Sequence, residues 1–287
     1  MKENAVASAV ENPLRLDADG IRRIEGARGP LSYPAEGNRL IREVEDASWW
    51  FGHRTAVILT LFRRFPPAGP VWDLGGGNGL VAKALQDTGR ECVLVEAGEE
   101  GCRNARARGV ENVLCADLAA LRFRPRSLDA AGLFDVLEHF ADPRPLLERL
   151  GEALKPGRGK LYITVPAHRW LWSREDAWAG HAARYEAESL GRTLQGAGLE
   201  VDFLTYFFAW LSPFIFFGRT LPDKLRPRAG RRPGSDLGSV HGRRRGLAGW
   251  LADRRFAAEG RRIAHGRLSH GASLFAVCGR PPAPSDP

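Results

Sequence analysis

The chain has 287 residues, 44% of them hydrophobic, and a formal net charge of +8. That length and apolar content suit a globular protein with a full core and exclude a disordered chain. Arg219 to Arg267 holds fourteen Arg or Lys against four acids, so this segment carries ten positive charges and the rest of the chain two negative ones. Anionic partners are therefore expected of this segment and not of the body. Residues 1–30 are polar and are expected to be flexible; "MKENAVASAVENPLRL" has no apolar run long enough for a signal peptide, which points to a cytoplasmic protein. A single domain is expected over 31–280, opening with helical spacing over 36–65 around the aromatic cluster "SWWFGHR". Then come short apolar runs ending in polar residues, "VWDL" (71–74), "CVLVE" (92–96), "NVLCAD" (112–117), "LDAAGLFDVLEH" (128–139) and "GKLYITVPA" (159–167), which predict strands buried on both faces. Helical stretches at 79–88, 98–108 and 142–154 separate them. The alternation predicts an α/β fold made of βαβ units, with a parallel sheet and right-handed crossovers. A Trp-rich loop (168–183), a helix (186–197) and a strand (199–208) follow. A basic insert (207–268) then precedes the last strand (271–280) and a disordered tail (281–287). Cys92, Cys102, Cys115 and Cys278 lack CxxC spacing and are expected to be reduced, buried thiols.

The stretch "VWDLGGGNGLVAKAL" (71–85) carries the chemistry. Glycine is unfavourable in regular structure, so this density marks a turn where the backbone approaches a ligand closely. A dinucleotide fingerprint requires glycine where Leu80 stands, and the GK[ST] ending of a P-loop is absent. Asp73 through Gly79 instead reads D-x-G-x-G-x-G, which resembles motif I of the class I S-adenosylmethionine-dependent methyltransferases. "FDVLEHFADP" (134–143) and "LKPGRGKLYITVP" (154–166) are similar to the ubiquinone-type O-methyltransferase branch, among methyltransferases of type 11/12 or 23. "WWFGHR" and "HAARY" (181–185) resemble the W-W-F-x-x-R and H-x-R-R-Y signatures of many bacterial members, with Ala183 where the pattern has Arg.

The resemblance implies a Rossmann-like seven-stranded sheet, mostly parallel with the last strand antiparallel, and helices on both faces. It implies S-adenosyl-L-methionine as cofactor and no metal. Gly75, Gly77 and Gly79 would pass its methionine part, Glu96 would grip the ribose hydroxyls, and Asp117 with Leu118 would meet the adenine. Arg54 either pairs with the methionine carboxylate or is a solvated surface arginine. His139 is the best-placed general base or else a helix cap, while His181 and Tyr185 either touch the acceptor or fasten their loop. Trp49, Trp50 and Phe51 are candidates for a lid, and Trp170, Trp172 and Trp178 for an apolar acceptor pocket.

"FLTYFFAWLSPFIFF" (203–217) is apolar but contains Pro213 and is too short to span a bilayer, for which about 20 residues are needed. Beside the basic insert it suits a peripheral anchor on an anionic membrane surface. The insert lacks aromatic interleaving, so nucleic acid ranks below lipid. The expected activity is methyl transfer to a hydrophobic or lipid-linked small molecule at a hydroxyl oxygen. The alternatives are an RNA methyltransferase and a non-catalytic protein that keeps the fold.

Overall fold

A computed structural model describes residues 4–24, 37–225 and 247–282. The Arg-rich centre of the basic insert (226–246) and most of the tail (283–287) lie outside the described residues. The core strands are β3 (Val71–Leu74), β4 (Cys92–Glu96), β5 (Asn112–Cys115), β6 (Ala130–Phe134) and β7 (Lys160–Pro166), each pairing in parallel with its neighbours among them. Their apolar runs are buried almost throughout, as two-sided burial of a parallel sheet requires. β9 (Ser273–Gly279) inserts antiparallel between β7 and the edge strand β8 (Glu200–Phe207). The last strand thus runs antiparallel, as expected.

The sheet has nine strands rather than seven, in the order β1-β2-β5-β4-β3-β6-β7-β9-β8. The two additions, β1 (Leu14–Leu16) and β2 (Ile21–Ile24), come from the N-terminus expected to be flexible. They form a hairpin across the turn at Gly20, and β2 pairs in parallel with β5. Ion pairs of Arg23 with Asp17, Asp19 and Glu99 hold it in place. The strands are too short and too charged to show an alternating apolar pattern, so the sequence signal was confined to the Asp-Gly turn.

Helices α2 (Gly37–Val44) and α3 (Trp49–Arg64) divide the expected segment 36–65, with α1 (Asn4–Ala9) before the hairpin. Ser48 caps α3 by accepting the Phe51 amide hydrogen bond, and Arg63 and Arg64 complement its carboxyl-terminal dipole. α4 (Leu80–Asp87) and α5 (Glu99–Ala107) link strands in one direction along the sheet, while α6 (Arg144–Ala153) links them in the other. Right-handed crossovers then place the two sets on opposite faces. α3 and α4 pack together in one layer, and α6 packs on α8 (Ala187–Gly196) in the other. The Trp-rich loop contains α7 (Arg174–Trp178), closed by a capping box between Ser173 and Asp176.

The described parts of the insert are ordered. α9 (Ser212–Ile215), a wider turn (Phe216–Thr220) and α10 (Leu221–Leu225) follow β8, and α11 (Leu247–His265) packs along α3. Glu259 of α11 is buried and accepts from His53 Nε2 and from the Phe208 and Ala209 amides, each at 2.7 Å. Among the described residues no helix is long and apolar enough to cross a membrane. All four cysteines are buried thiols.

Strand order reverses between β3 and β6, and there the glycine turn lies. Gly79, φ +78°, starts α4, and a Cβ on it would stand 2.8 Å from Ala105 Cβ and 2.9 Å from Val110 Cγ2. Gly79→Val is therefore expected to lower stability by about 2 to 4 kcal/mol, through left-handed strain and overpacking. Denaturant unfolding of the two proteins measures this, and an unchanged midpoint would show that α4 and α5 move apart freely.

Candidate active site

A cavity of about 670 Å³ opens at the carboxyl ends of the strands, roofed by α2 and α3 and by the loop that carries α7. Arg54, Asp73, Gly75, Gly77, Glu96, Asp117, Leu118, His139 and His181, all picked out in the sequence, line it. Gly79 does not, and its role is the packing of α4 on α5. Gly77 has φ +54° and the nearest atom to an added Cβ would be Asn38 Oδ1 at 3.8 Å, so its bare backbone faces open space. That is where the chain lets a ligand approach the main chain.

The two ends of the neighbouring strands shape one half of the cavity. Glu96, at the end of β4, accepts from the Gly98 amide at 2.7 Å through Oε1 and from the Gly77 amide at 3.0 Å through Oε2. Burial pushes its carboxyl above the usual range, and these two amides oppose the shift. These amides, with further hydrogen bonds from the Asn38 side chain and the Ala97 backbone, fix the carboxylate's orientation at the cavity wall. Asn38 of α2 packs beside it, close to Gly98 and Gly101, and Asn78 donates to the Asn38 carbonyl at 2.9 Å. Asn38 escaped the sequence reading because an isolated asparagine carries no motif. Asp117 turns the chain after β5, its Oδ1 accepting the Ala119 amide at 2.9 Å. Asp73 is buried at the end of β3, and burial pushes its carboxyl up to about 7, against the Arg54 guanidinium and the Ala82 amide. Its Oδ2 has no hydrogen-bond partner among the described residues.

Arg54 and Asp135 mark the middle. Asp135 follows β6 in a left-handed conformation, φ +59°, which disfavours a residue with a side chain by roughly 1 to 2 kcal/mol. The strained turn is held by the Arg54 ion pair, by Thr164 Oγ1 donating to Asp135 Oδ1 at 2.8 Å, and by the Asp135 amide on the Thr164 carbonyl. Arg54 thus rests on Asp135, while its buried Nε–H has no hydrogen-bond partner among the described residues. Asp135 belongs to the site though the sequence reading passed it over inside "FDVLEH".

The far half holds an acid–imidazole cluster. Glu138 is fully buried, and neither carboxylate oxygen has a hydrogen-bond partner among the described residues. Burial, with Asp135 beside it, pushes its carboxyl well above the usual range. Donor atoms of Glu138, His139 and His181 all lie within 4.8 Å of one another. The His139 and His181 rings meet edge to face with centroids 5.0 Å apart. Burial, aided by His181, pushes His139 down to about 4. His181 Nδ1 is 2.9 Å from Asp176 Oδ1, and its Nε2 is 3.9 Å from Glu138 Oε1.

Three expectations need correction. Tyr185 is buried outside the cavity wall; its amide and carbonyl bond Pro166 and His168, and burial pushes its hydroxyl up to about 12. Of its two proposed roles the structure gives fastening of the loop. Trp50 and Phe51 roof the cavity, whereas Trp49 turns away to stack on Phe256 at 5.6 Å. Trp178 lines the far half, whereas Trp170 and Trp172 do not, Trp170 packing against Phe216 at the surface. Aromatic spacing in a loop does not tell which face each ring will take.

These features fit an S-adenosylmethionine molecule: an open glycine backbone, a pre-oriented carboxylate at the second strand end, and, lining the same cavity, a guanidinium whose Nε–H has no partner among the described residues. Comparison with known proteins agrees. The methyltransferase-domain family matches residues 51–203, more than half of the chain. The ubiquinone biosynthesis O-methyltransferase of Idiomarina loihiensis is 29% identical over 101 residues, which are 33% of this chain and 41% of that protein. A probable S-adenosylmethionine-dependent methyltransferase of Mycolicibacterium smegmatis is 27% identical over 176 residues, 60% of this chain and 68% of that one. The chain thus spans less than half the length of the ubiquinone biosynthesis enzymes it matches. Among solved structures, a Haloferax volcanii methyltransferase in complex with the Trm112 activator covers 88% of this chain and 96% of its own, with a TM-score of 0.54 and 20% identity. Phosphoethanolamine N-methyltransferase 2 of Haemonchus contortus, solved with S-adenosyl-L-methionine, covers 87% and 58%, with a TM-score of 0.55 and 17% identity. At such identities the likeness is one of fold. With the family match and the fitted cavity together, the chain belongs to the methyltransferase-domain family.

Proposed function

We propose that the chain methylates a hydroxyl oxygen of a hydrophobic or lipid-linked small molecule, at an anionic membrane surface. The observation that carries this reading is the continuity of one cavity. Its lining joins Glu96 and Asp117 to the Glu138, His139 and His181 cluster and to the apolar Trp50, Phe140, Trp178 and Ile215, with Phe214 and Phe217 exposed on the same short segment as Ile215. Those two side chains are 61% and 66% exposed and precede the Arg-rich run 226–246, so apolar and cationic groups suited to an interface are close in sequence. The bound cofactor supplies a methyl group on a sulfonium, already an excellent leaving group. The protein then holds the acceptor in line, which is worth roughly 7 to 11 kcal/mol of barrier. Glu96 orients the ribose, Asp117 and Leu118 the adenine, and the Arg54 Nε–H the methionine carboxylate. The aromatic roof excludes water. The O-methyltransferase activity of the ubiquinone biosynthesis relatives supports oxygen as the acceptor atom.

The test pairs release of S-adenosylhomocysteine with vesicle sedimentation. The protein is expected to turn over long-chain 4-alkylphenols in phosphatidylglycerol vesicles faster than phenol in solution. Phe214→Ser with Phe217→Ser should reduce both sedimentation and that preference. Phe216 is not a suitable target, since it packs on Trp170. Equal turnover of soluble and vesicle-borne phenols by wild type and variant would remove the membrane reading.

A further inference from the structure

The His181 ring lines the cavity, yet one of its nitrogens is already engaged behind the wall. We propose that His181 is the base that removes the acceptor's hydroxyl proton, and that Asp176 is the positioning residue that fixes its ring and tautomer; this rests on the O-methylation reading above.

Asp176 is 2% exposed and accepts five hydrogen bonds. They come from His181 Nδ1 (2.9 Å), Arg184 Nε (2.8 Å) and Nη2 (3.1 Å), the Ser173 amide (2.8 Å) and Ser173 Oγ (3.1 Å). Although burial opposes ionisation, the hydrogen bonds from His181 and Arg184 outweigh it and hold the carboxyl well below the usual range. An ionised carboxylate only accepts, so Nδ1 must carry the proton, and the lone pair falls on Nε2. Nε2 lies 3.9 Å from Glu138 Oε1, too far for a hydrogen bond, which leaves it open to a hydroxyl in the cavity. Arg184 also donates to the Ala167 carbonyl at 2.9 Å, so the Asp176 carboxylate cannot swing away. This explains why the second Arg of the H-x-R-R-Y signature is kept here while the first is Ala183, whose amide only stitches the loop to the Glu138 carbonyl at 3.3 Å.

His139 is the weaker base, because burial and the neighbouring imidazole disfavour its charged form. The ionisable groups around the His181 ring are Asp176, Glu175 and Arg184 on its own loop. Glu138 and His139 face it from the turn after β6, with the Asp135–Arg54 pair beyond them. In the reaction the acceptor oxygen bonds to the methyl carbon as the sulfur–carbon bond breaks. Its electron pair stays on sulfur, and the hydroxyl proton passes to Nε2. The resulting imidazolium is neutralised by Asp176.

The first test needs no acceptor. In long-range ¹H–¹⁵N spectra of histidine-labelled protein, assigned with His181→Gln, His181 is expected as the Nδ1-protonated tautomer. Asp176→Asn should admit the Nε2-protonated form. A wild-type ring protonated at Nε2 would overturn the proposal. The second test measures turnover of 4-alkylphenols. His181→Gln, which leaves the Asp176–Arg184 pair intact, should lower kcat by about 10² or more with unchanged affinity for S-adenosylhomocysteine, whereas His139→Gln should lower it a few-fold. Asp176→Asn should lower kcat, with partial rescue by Asp176→Glu. Full kcat in His181→Gln would overturn the proposal. So would activity lost on chelation and restored by a divalent cation, because Nε2 would then be a ligand alongside Glu138 and His139. If no phenol turns over while the tautomer is as expected, the O-methylation reading falls and the Asp176–His181 arrangement stands.

Discussion

Glu96→Ala is expected to weaken binding of both S-adenosylmethionine and S-adenosylhomocysteine by about 30- to 1,000-fold, roughly 2 to 4 kcal/mol. The loss has two sources. Under the proposed ribose role, two charge-assisted bonds to the hydroxyls would be lost, each worth roughly 1.5 to 3 kcal/mol. The Gly77 and Gly98 amides also lose the acceptor that now orders the turn, at 3.0 and 2.7 Å. Asp117→Ala should cost less, because one of its oxygens already holds the Ala119 amide. Isothermal calorimetry measures all three proteins, and equal affinity in wild type and Glu96→Ala would remove the ribose assignment.

The second large effect concerns stability. Glu138→Gln is expected to stabilise the cofactor-free protein by about 1 to 3 kcal/mol at pH 8 and by little at pH 5. Glu138 is buried with neither oxygen partnered among the described residues, and burial together with Asp135 raises its folded-state value well above 4.5. The folded chain therefore binds this proton more tightly than the unfolded chain. The group's contribution is fully present below about pH 4.5 and is lost as pH rises through the folded value. Glutamine cannot ionise, so the gap between the proteins should widen with pH. Calorimetric scans at the two pH values check this. A variant less stable than wild type at pH 8 would show that the carboxylate is held ionised by its neighbours. A fully buried carboxyl that lowers stability yet lines the cavity is the pattern expected of a residue kept for function.

The sheet strands, the glycine turn and the acids at the strand ends were legible because each rests on a local rule. Two-sided burial shows as continuous apolar runs, and close ligand approach shows as glycine. β3 and β4 fall on the very residues read from the sequence. What stayed hidden depended on contacts across the fold. Asp176 reaches His181 and Arg184 because a capping box turns the loop inward, and nothing in "SREDAW" distinguishes that aspartate from a solvated one. Arg54 was read as a partner for the methionine carboxylate, and the residue that holds it in the protein, Asp135, stayed hidden because it sits 81 positions along the chain. Likewise Trp49 and Trp50 are adjacent in sequence, yet one turns outward to α11 and the other roofs the cavity.

The hairpin β1–β2 has a consequence beyond the strand count. Without it β5 would end the sheet, presenting the buried row Asn112, Val113, Leu114 and Cys115 as a straight, largely apolar rim of unpaired amides and carbonyls. Such a rim templates pairing between molecules. β1, by contrast, is three residues long and carries Arg15 outward, and at the opposite border β8 begins with Glu200 and Asp202. Both ends of the sheet are thus finished with short or charged backbone. The hairpin at 14–24, remote in sequence from the glycine turn, is a hem that keeps one copy of the chain from being stitched to the next.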